Sequence, residues 1–339
     1  MRLVGEIRAG SDITITLEPG QAAVITTGAP VPAGADAVQM SEHTRLSAGS
    51  MRVSILQSVA PGDNIVPRGA EAKAGEVVLR AGRVLGPAEI GVLATFGFAR
   101  VPVYRQPRVG LLVTGDELVE SWETPRRAEI RNSNAYSLRA QLACLGIEPE
   151  YLGIARDDPA ELRRKISEGL EREILIISGG ASVGPYDLVK SVFEDLGIKI
   201  IFSRVALRPG KPTVFARKGD TLVFGLPGNP VSSFVSFESF VRPALGRLCG
   251  LEKPELPRIT GQLARTLKQT RGRTSCLPAV VVAEGSGWKI HPLPWKGSGD
   301  IIGFSQCNAL VIFPGDRDLM TQGELADAVL LPDFFLRSG

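Results

Sequence analysis

The sequence predicts an α/β multidomain protein in which a central α/β domain with a parallel-rich sheet follows a β-rich N-terminal domain and precedes a C-terminal β-barrel-like domain. Short apolar or alternating runs separated by Gly and Pro dominate both ends of the chain, whereas the middle alternates apolar runs with amphipathic segments. Such alternation is typical of a parallel sheet with right-handed crossovers. We therefore predict domains at 1–104, 105–248 and 252–339, with a linker at Glu252-Lys-Pro-Glu-Leu-Pro.

The β-rich ends are predicted from short runs bounded by turn residues. In the N-terminal domain we predict strands at 13–17, 22–25, 51–56 and 76–80. A helix at 88–96 is expected next, because Pro87 suits a first helical turn. In the C-terminal domain we predict strands at 258–263, 279–283, 288–293 and 309–314. The Gly-rich turns between these strands favour a small barrel or sandwich.

The central domain is predicted from continuous apolar runs, which are typical of strands buried on both faces of a sheet. We predict strands at 108–114, 151–155, 173–178, 199–202 and 222–226. Helical spacing of apolar residues predicts helices at 133–145, 158–170, 188–196 and 230–248. Asn132 or Ser133 is the expected cap of the first of these helices, and Gly146 its end.

The composition is that of a folded globular protein without a general affinity for nucleic acid. The 339 residues are 44% hydrophobic and 6% aromatic, and 39 Lys+Arg against 36 Asp+Glu give a net charge of +3. So small a charge favours neither nucleic acid nor a membrane surface as partner. Without an apolar signal core or a long apolar run, the protein is expected to be cytoplasmic. Its four cysteines lack C-x-x-C spacing and are expected to be reduced core thiols.

Carboxylates follow two of the predicted strands of the central domain. Loops at the carboxyl ends of strands form the binding crevice of an open α/β sheet. The segment Thr114-Gly-Asp-Glu-Leu places Thr114, Gly115, Asp116 and Glu117 there, as ligands for Mg²⁺ or a substrate hydroxyl, and Asp157 adds a carboxylate. The alternatives are a strand-to-helix turn capped by Asp116, and a cap of the next helix at Asp157.

A second segment, Ser178-Gly-Gly-Ala-Ser-Val-Gly-Pro-Tyr-Asp, predicts a phosphate-binding loop. Its glycines and serines would let backbone N–H groups approach an anion at the start of the next helix. The candidate binding residues are Ser178, Gly179, Gly180, Ser182 and Gly184, with Asp187 as a metal ligand. The alternative is that Asp187 simply caps the helix.

Two further segments carry cations and a proline-bounded turn. Arg204, Arg208 and Lys211 lie in a stiff loop that suits a compact oxyanion or a pyrophosphate, although a solvated basic turn is the alternative. The segment Leu226-Pro-Gly-Asn-Pro-Val-Ser-Ser starts a helix whose N-terminus would favour an anion. Its candidate binding residues, against the alternative of a plain helix start, are Pro227, Asn229 and Ser232.

These loops together resemble the molybdopterin molybdenumtransferase family, which comprises the MoeA and gephyrin E-domain proteins. The resemblance spans essentially the whole chain. The matching segments are Gly5-Glu-Ile-Arg-Ala-Gly, Ile25-Thr-Thr-Gly-Ala-Pro-Val-Pro-Ala-Gly-Ala-Asp-Ala-Val, Pro107-Arg-Val-Gly-Leu-Leu-Val-Thr-Gly-Asp-Glu-Leu, Asn132-Ser-Asn, Ser178-Gly-Gly-Ala-Ser-Val-Gly, Arg208-Pro-Gly-Lys-Pro, Gly225-Leu-Pro-Gly-Asn-Pro-Val-Ser, Gly297-Ser-Gly and Cys307-Asn-Ala-Leu-Val-Ile-Phe-Pro.

The resemblance implies a function in molybdenum cofactor biosynthesis. Family enzymes take adenylylated molybdopterin and molybdate, release AMP with the help of Mg²⁺, and insert molybdenum at the dithiolene. It further implies a homodimer, a pterin nucleotide bound in the central molybdopterin-binding-like domain, and the molybdopterin adenylyltransferase as a candidate partner. By motif position, the implied catalytic residues are Glu117, Asp157, Asp187 and Thr27, with Asp187 and Glu117 on the metal and Thr27 contributed across the dimer.

One departure from the family and one shared motif leave two other functions to consider. Family members carry a segment ahead of Gly5-Glu-Ile, with a Ser-x-Met-Asp-Gly-Tyr-Ala stretch, so we expect a first domain that is truncated relative to the family. A non-catalytic scaffold or sensor that binds molybdopterin or molybdate is therefore the alternative function. A nicotinamide-nucleotide amidohydrolase of the competence-damage type shares a Thr-Gly-x-Glu-Leu loop, but the Arg208-Pro-Gly-Lys-Pro segment argues against it.

Overall fold

A computed structural model describes residues 1–12, 14–47, 49, 51–180 and 188–332. The chain divides into two compact units, residues 1–80 and residues 81–339. Within the described ranges, no helix is long and apolar enough to cross a membrane.

The first unit is rich in short strands and turns. Strands β1 and β2 pair in parallel, and β3 and β4 pair antiparallel after a 3₁₀ turn at Ser41–His43. Their bounds are Arg2–Ile7 (β1), Gln21–Ile25 (β2), Thr44–Leu46 (β3) and Val53–Ile55 (β4). Only Ile7 and Val53 are buried hydrophobic residues among those described in this unit. A core this small leaves most of the unit's conformation to turns.

Two of the four strands predicted for this region are confirmed, at 22–25 and 51–56. The strand predicted at 13–17 is wrong for the residues described there, because only Thr16 forms a bridge, to Ala33. The strand predicted at 76–80 is also wrong, since Val77 and Val78 are both exposed and pair with no other strand in the described chain. An apolar run forms a strand only where a partner supplies backbone hydrogen bonds.

The second unit begins with a helix and continues with alternating strands and helices. These elements are α1 (Pro87–Thr95), β5 (Val109–Thr114), β6 (Leu118–Val119), β7 (Ile130–Arg131), α2 (Asn134–Ala143), β8 (Glu150–Ala155), α3 (Pro159–Gly169), β9 (Ile174–Ser178), α4 (Leu188–Asp195), β10 (Lys199–Phe202), β11 (Leu207–Arg208), β12 (Val214–Lys218), β13 (Thr221–Leu226), α5 (Pro230–Ser236) and α6 (Arg242–Leu248). A π-helical turn at Phe237–Val241 joins α5 to α6. All predicted helices and strands of the central domain are confirmed.

Six of these strands form a mixed sheet in the order β10-β12-β13-β9-β5-β8. The sheet is parallel except for β12, which pairs antiparallel with both neighbours, so the predicted parallel-rich α/β fold is confirmed. Every residue of β5 and β9 is buried. Successive residues such as Leu111 and Leu112 pack on opposite faces, against α2 and α6 on one side and α3 and α4 on the other.

Strand β12 was not predicted, and it determines where the cationic loop lies. Because β12 runs opposite to its neighbours, the chain leaves the carboxyl end of β10 and re-enters the sheet at the same edge. The loop between them therefore shares its edge with the loops after β5, β8, β9 and β13. The run Val214-Phe-Ala-Arg-Lys is short and ends in charged residues, which makes it a weak strand signal.

Helix caps decide two of the alternatives considered above. Asp158, and not Asp157, caps α3, because its Oδ1 accepts the backbone N–H of Glu161 at 2.7 Å. Asp116 caps no helix, since the chain continues into β6 after it. Asn132 holds the start of α2, where its Oδ1 accepts the N–H of Ala135 at 3.1 Å. Asp116 and Asp157 are thus available for another role.

The C-terminal region forms a closed five-stranded barrel. Its strands pair in the ring β16-β17-β14-β20-β18 and back to β16. The bounds in this region are β14 (Arg258–Leu263), β15 (Leu267–Lys268), β16 (Thr274–Glu284), β17 (Gly287–Pro292), α7 (Ile301–Phe304), β18 (Ala309–Phe313), β19 (Leu319–Met320) and β20 (Leu325–Leu330). The predicted barrel is confirmed with its four strands. The closing strand β20 was missed by the sequence analysis.

The prediction that all four cysteines are core thiols is wrong for two of them. Cys276 and Cys307 are buried, but Cys249 is half-buried and Cys144, just after α2, is exposed. All four lie in the described residues and none forms a disulfide. Burial raises the pKa of the Cys276 thiol to about 12, so this thiol stays protonated and unreactive.

Candidate functional site: a cleft and a cationic cavity

Three of the predicted loops and Asp157 converge on one cleft at the carboxyl edge of the mixed sheet. The cleft has a volume of about 630 Å³. Segments that line it come from the ends of β5, β9 and β13 and from the start of α2. Its lining residues from the predicted set are Thr114, Gly115, Glu117, Asp157, Ser178, Gly179, Gly180, Pro227 and Asn229.

Hydrogen bonds join the two carboxylate-bearing loops of the cleft. The Arg156 guanidinium donates to the main-chain oxygens of Asp116 (2.7 Å) and Leu118 (3.2 Å). In return, the Oδ1 of Asp116 accepts the backbone N–H of Asp157 at 3.0 Å. Burial, and then the negative charges of Asp116 and Glu117, raise the pKa of Asp157 above its ordinary value.

The two glycines after β9 are required by contact with the neighbouring strand end. Gly179 has φ +95°, and a Cβ there would lie 2.3 Å from the main-chain oxygen of Thr114. A Cβ on Gly180 would lie 2.7 Å from Thr114 Oγ1. That Oγ1 is buried and has no hydrogen-bond partner among the residues described. A buried hydroxyl without a partner is unfavourable, which favours a role in binding a ligand.

Asn134 connects two walls of the cleft, and the sequence analysis did not single it out. Its Nδ2 donates to Ser178 Oγ at 2.9 Å and to the main-chain oxygen of Gly228 at 2.8 Å. Neighbouring Asn132 donates to the Tyr151 hydroxyl at 2.9 Å, and that hydroxyl donates to Glu120 Oε1 at 2.7 Å. Burial and the negative Glu120 raise the pKa of Tyr151, so its hydroxyl remains a donor. The only sequence signal for Asn134 was its place in the Asn132-Ser-Asn segment, which matches the family.

A second cavity of about 370 Å³ adjoins the cleft. The cleft and the cavity share Pro212, Pro227 and Asn229 in their linings. Arg208 and Lys211 line the cavity, as does Ser232, which is 4% exposed. Its other polar and aromatic lining residues come from the C-terminal region: Arg273, Trp295 and Ser298.

Strand pairing explains why residues so distant in the sequence share this cavity. Leu207 and Arg208 form β11, which pairs in parallel with Thr274 and Ser275 at the start of barrel strand β16. This pairing brings the cationic loop next to Arg273. On the other side, Asn229 Nδ2 donates to Ser298 Oγ at 3.0 Å. The barrel therefore completes a cavity that the α/β sheet alone would leave open.

The cavity is strongly positive. Its described lining holds Arg208, Lys211 and Arg273 and no carboxylate, and none of these cations forms an ion pair with a described residue. Unpaired guanidinium and ammonium groups around a small cavity favour a compact anion. Arg204, from the same loop, lines neither the cleft nor the cavity, so its assignment to the site remains a prediction. It precedes β11, the strand that turns Arg208 towards the barrel.

Four further predicted site residues remain predictions. Ser182, Gly184 and Asp187 lie outside the described residues. Thr27 is exposed and follows β2 in the first unit. Among the described residues, no group of three or more His, Cys, Asp or Glu side chains is arranged to hold a metal ion.

The chain matches family models along most of its length. Residues 2–97 match the MoeA N-terminal region (domain I and II), residues 110–247 a probable molybdopterin binding domain, and residues 260–331 the MoeA C-terminal region (domain IV). These matches coincide with the β-rich first region, the mixed sheet and the barrel.

Similar proteins and structures agree with these models. The molybdopterin molybdenumtransferase of Bacillus subtilis (strain 168) is 34% identical over 97% of this chain and 77% of its own length. That of Nostoc sp. is 36% identical over 98% and 77%. A crystal structure of a molybdopterin biosynthesis MoeA protein from Pyrococcus horikosii has a TM-score of 0.77 and 30% identity, and covers 97% of this chain and 81% of that one. The chain therefore belongs to the MoeA family.

Proposed function

We propose that this chain is a molybdopterin molybdenumtransferase in molybdenum cofactor biosynthesis. It would take adenylylated molybdopterin and molybdate, release AMP and insert molybdenum at the dithiolene. One observation carries the proposal: in a MoeA-family chain, a cleft large enough for a nucleotide shares three lining residues with a cavity that presents three cations without an ion pair to any described residue. The two ligands of the reaction would therefore bind next to each other.

The cavity supplies what a tetrahedral metal dianion needs. Arg208 and Arg273 carry planar guanidinium groups that can donate two parallel hydrogen bonds to one oxyanion, and Lys211 adds a compact charge. Buried Ser232 offers a hydroxyl at the same lining. These residues would bind and orient molybdate, and their charge would offset its desolvation.

The cleft supplies donors and carboxylates for the adenylyl end of the substrate. Asn134, the turn at Ser178–Gly180 and the Thr114 hydroxyl would contact the nucleotide. The carboxylates of Glu117 and Asp157 line the same cleft, and carboxylate oxygens are the ligands that Mg²⁺ prefers. Glu117 and Asp157, with Asp187 as the further predicted ligand, would hold Mg²⁺, which when bound would neutralise charge on the phosphoryl oxygens.

The experiment incubates the purified protein with adenylylated molybdopterin and molybdate. AMP is measured by chromatography, and cofactor by reactivation of a molybdenum-free apoenzyme. We expect both products from the wild-type chain. Glu117→Gln and Asp187→Ala should each abolish AMP release, whereas Glu168→Gln, on the exposed face of α3, should not. Binding of both ligands without AMP release would contradict the proposed function.

We also propose a cytoplasmic homodimer that receives its substrate from the molybdopterin adenylyltransferase. Thr27, exposed after β2, would complete the site of the partner subunit. Sedimentation velocity measures the oligomeric state. Mixing the Thr27→Ala and Glu117→Gln variants tests whether Thr27 acts in the site of the partner subunit. A mixed dimer would then contain one intact site and recover part of the activity. No recovery in a verified mixed dimer would contradict the role of Thr27.

A further inference from the structure

The cationic cavity is larger than a tetrahedral oxyanion requires. A water molecule takes about 30 Å³ of liquid volume, so a cavity of about 370 Å³ has room for roughly twelve water molecules. An oxyanion of five atoms fills only part of that space. Its lining is also more than a charged surface. It combines three cations with an aromatic side chain and with prolines such as Pro209 and Pro212.

Trp295 is the single aromatic side chain among the described residues that line the cleft or the cavity. Its ring is held in place, because it packs against a buried apolar cluster that includes Val231 and Phe304. The main chain on both sides is anchored as well: Leu293 N–H donates to Pro278 O at 2.8 Å, and Lys296 N–H donates to Asp300 Oδ2 at 2.9 Å. A ring fixed in this way loses little freedom when a second ring stacks on it.

We propose that the indole of Trp295 is the platform on which the pterin ring of the substrate stacks. This subsite rests on the function proposed above and assigns an orientation to the substrate. Indole has the largest aromatic face of any side chain, and a flat heterocycle such as a pterin can stack on it. The pterin then lies in the cavity, and the adenylyl end extends across Asn229 into the cleft.

The chemistry of the reaction selects the pterin over the adenine as the stacked ring. The sulfur atoms that receive the metal are attached to the ring system of the pterin, and so must lie close to the bound oxyanion. Arg208, Lys211 and Arg273 line the same cavity as Trp295. Stacking the adenine on Trp295 would instead place the sulfur atoms a pyrophosphate length away from these cations.

Fluorine NMR tests the stacking directly in the intact protein. The three tryptophans are labelled as 5-fluorotryptophan, and the Trp295 resonance is identified by its absence in Trp295→Phe. We expect adenylylated molybdopterin to shift this resonance through the ring current of the pterin, whereas AMP alone leaves it in place. An unmoved resonance at saturating substrate, or an equal shift with AMP, would overturn the proposal.

Steady-state kinetics provide a second test. Trp295→Leu should raise the KM for adenylylated molybdopterin about 10-fold or more, as for the loss of one base–aromatic stack, and Trp295→Phe should raise it less. The KM for molybdate should stay within about twofold, a split that a merely structural role would not produce. Trp122→Leu is the control, because Trp122 is 75% exposed and lines neither site.

The two proposals fail in different ways. If the wild-type chain releases no AMP, the proposed function is wrong whatever the Trp295 resonance does. If it releases AMP while the substrate leaves the Trp295 resonance and the KM of Trp295→Leu unchanged, only the stacking proposal is wrong. Should Trp295→Leu fail to fold, Trp295→Phe and the spectrum of the wild-type chain still decide the question.

Discussion

The cleft and the cavity adjoin each other but are built differently. The cleft is formed by loops at one edge of one sheet, and its described lining carries the carboxylates Glu117 and Asp157 with a single cation, Arg131. The cavity lies between that sheet and the barrel, and its described lining is cationic without a carboxylate. Opposite charge in neighbouring compartments separates a site suited to a cation and a nucleotide from one suited to a metal oxyanion. The two should therefore be separable by mutation.

Gly179→Ala is expected to have the largest effect and to disturb the cleft alone. The new Cβ would meet the Thr114 carbonyl at 2.3 Å in a left-handed conformation, so the backbone must shift. We expect a loss of about 3 kcal/mol in the free energy of unfolding, or roughly 6 to 12 °C in Tm by calorimetry. AMP binding should weaken while molybdate binding, measured by titration calorimetry, is retained.

The matched control for this variant is Gly197→Ala. Gly197 also has a positive φ, of +67°, but a Cβ there would meet no heavy atom within 4 Å. The only cost of this substitution is that alanine must adopt a left-handed backbone conformation, so we expect a loss of about 1 kcal/mol in the free energy of unfolding. Equal losses in the two variants would mean that the close contact with Thr114 is not what requires the glycine.

Arg273→Ala is the converse experiment, because it should disturb the cavity and leave the cleft intact. A hydrogen bond to a charged group contributes about 2 kcal/mol, so molybdate affinity should fall roughly 30-fold with AMP affinity unchanged. Arg271→Ala is the matched control: its side chain is 65% exposed and pairs with Asp318 outside the cavity. Loss of AMP binding in Arg273→Ala would mean that the two compartments act as one site.

The same contrast explains what the sequence could predict. The cleft was predictable in outline because strand-end loops such as Thr114–Glu117 and Ser178–Gly180 meet wherever consecutive parallel strands form one sheet. Arg273 was not predictable, since it reaches the cavity through the two-residue pairing of β11 with β16, which has no recognisable pattern of its own. Trp295 was not predictable either, because it packs against a cluster that joins α5 to the barrel, a contact between segments far apart in the sequence. Arg204 was assigned to the site together with Arg208 and Lys211 as part of one cationic loop, and the sequence of a loop does not reveal which of its side chains line a cavity.

The secondary structure was likewise predictable where apolar runs are buried on both faces and not where they are exposed. Continuous apolar runs such as Ile174–Ser178 predicted buried strands correctly, because each is buried against helices on both faces. In the first unit, where only Ile7 and Val53 are buried hydrophobics among the residues described, apolar runs were a poor guide. Val77 and Val78 are exposed there without a strand partner.

Thr114→Val tests the role of the Thr114 hydroxyl in the cleft and should change Tm and AMP affinity less than Gly179→Ala does. Thr114 Oγ1 is buried without a partner among the described residues, so its removal relieves a desolvation penalty of about 1 kcal/mol. We expect Tm to rise by roughly 2 to 4 °C and AMP affinity to fall a few-fold. Thr213→Val is the control, since the Oγ1 of Thr213 donates to Gly210 O at 2.7 Å. Removing this hydroxyl breaks a hydrogen bond, so Tm should fall in that variant. A fall in Tm for Thr114→Val would contradict this account.

Asp157→Asn should produce the smallest change and reverse the usual effect of losing a site residue. The pKa of Asp157 is raised by burial and by Asp116 and Glu117, so its charged form is less favourable in the folded protein than in the unfolded chain. The wild type therefore loses stability as the pH rises from the ordinary aspartate pKa through the raised value, and the loss persists above it. At pH 7 the amide removes this repulsion, and we expect a Tm about 1 °C higher, with AMP release abolished.

The pH dependence of this gain identifies its cause. Below the ordinary aspartate pKa both the folded and the unfolded wild type are protonated at Asp157, so the difference in Tm should shrink as the pH falls towards that pKa and vanish below it. Asp220→Asn, in the turn between β12 and β13, is the control. A lower Tm for Asp157→Asn at pH 7 would mean that a positive charge already offsets the carboxylates in the free protein, and the contrast in charge between cleft and cavity would then be lost.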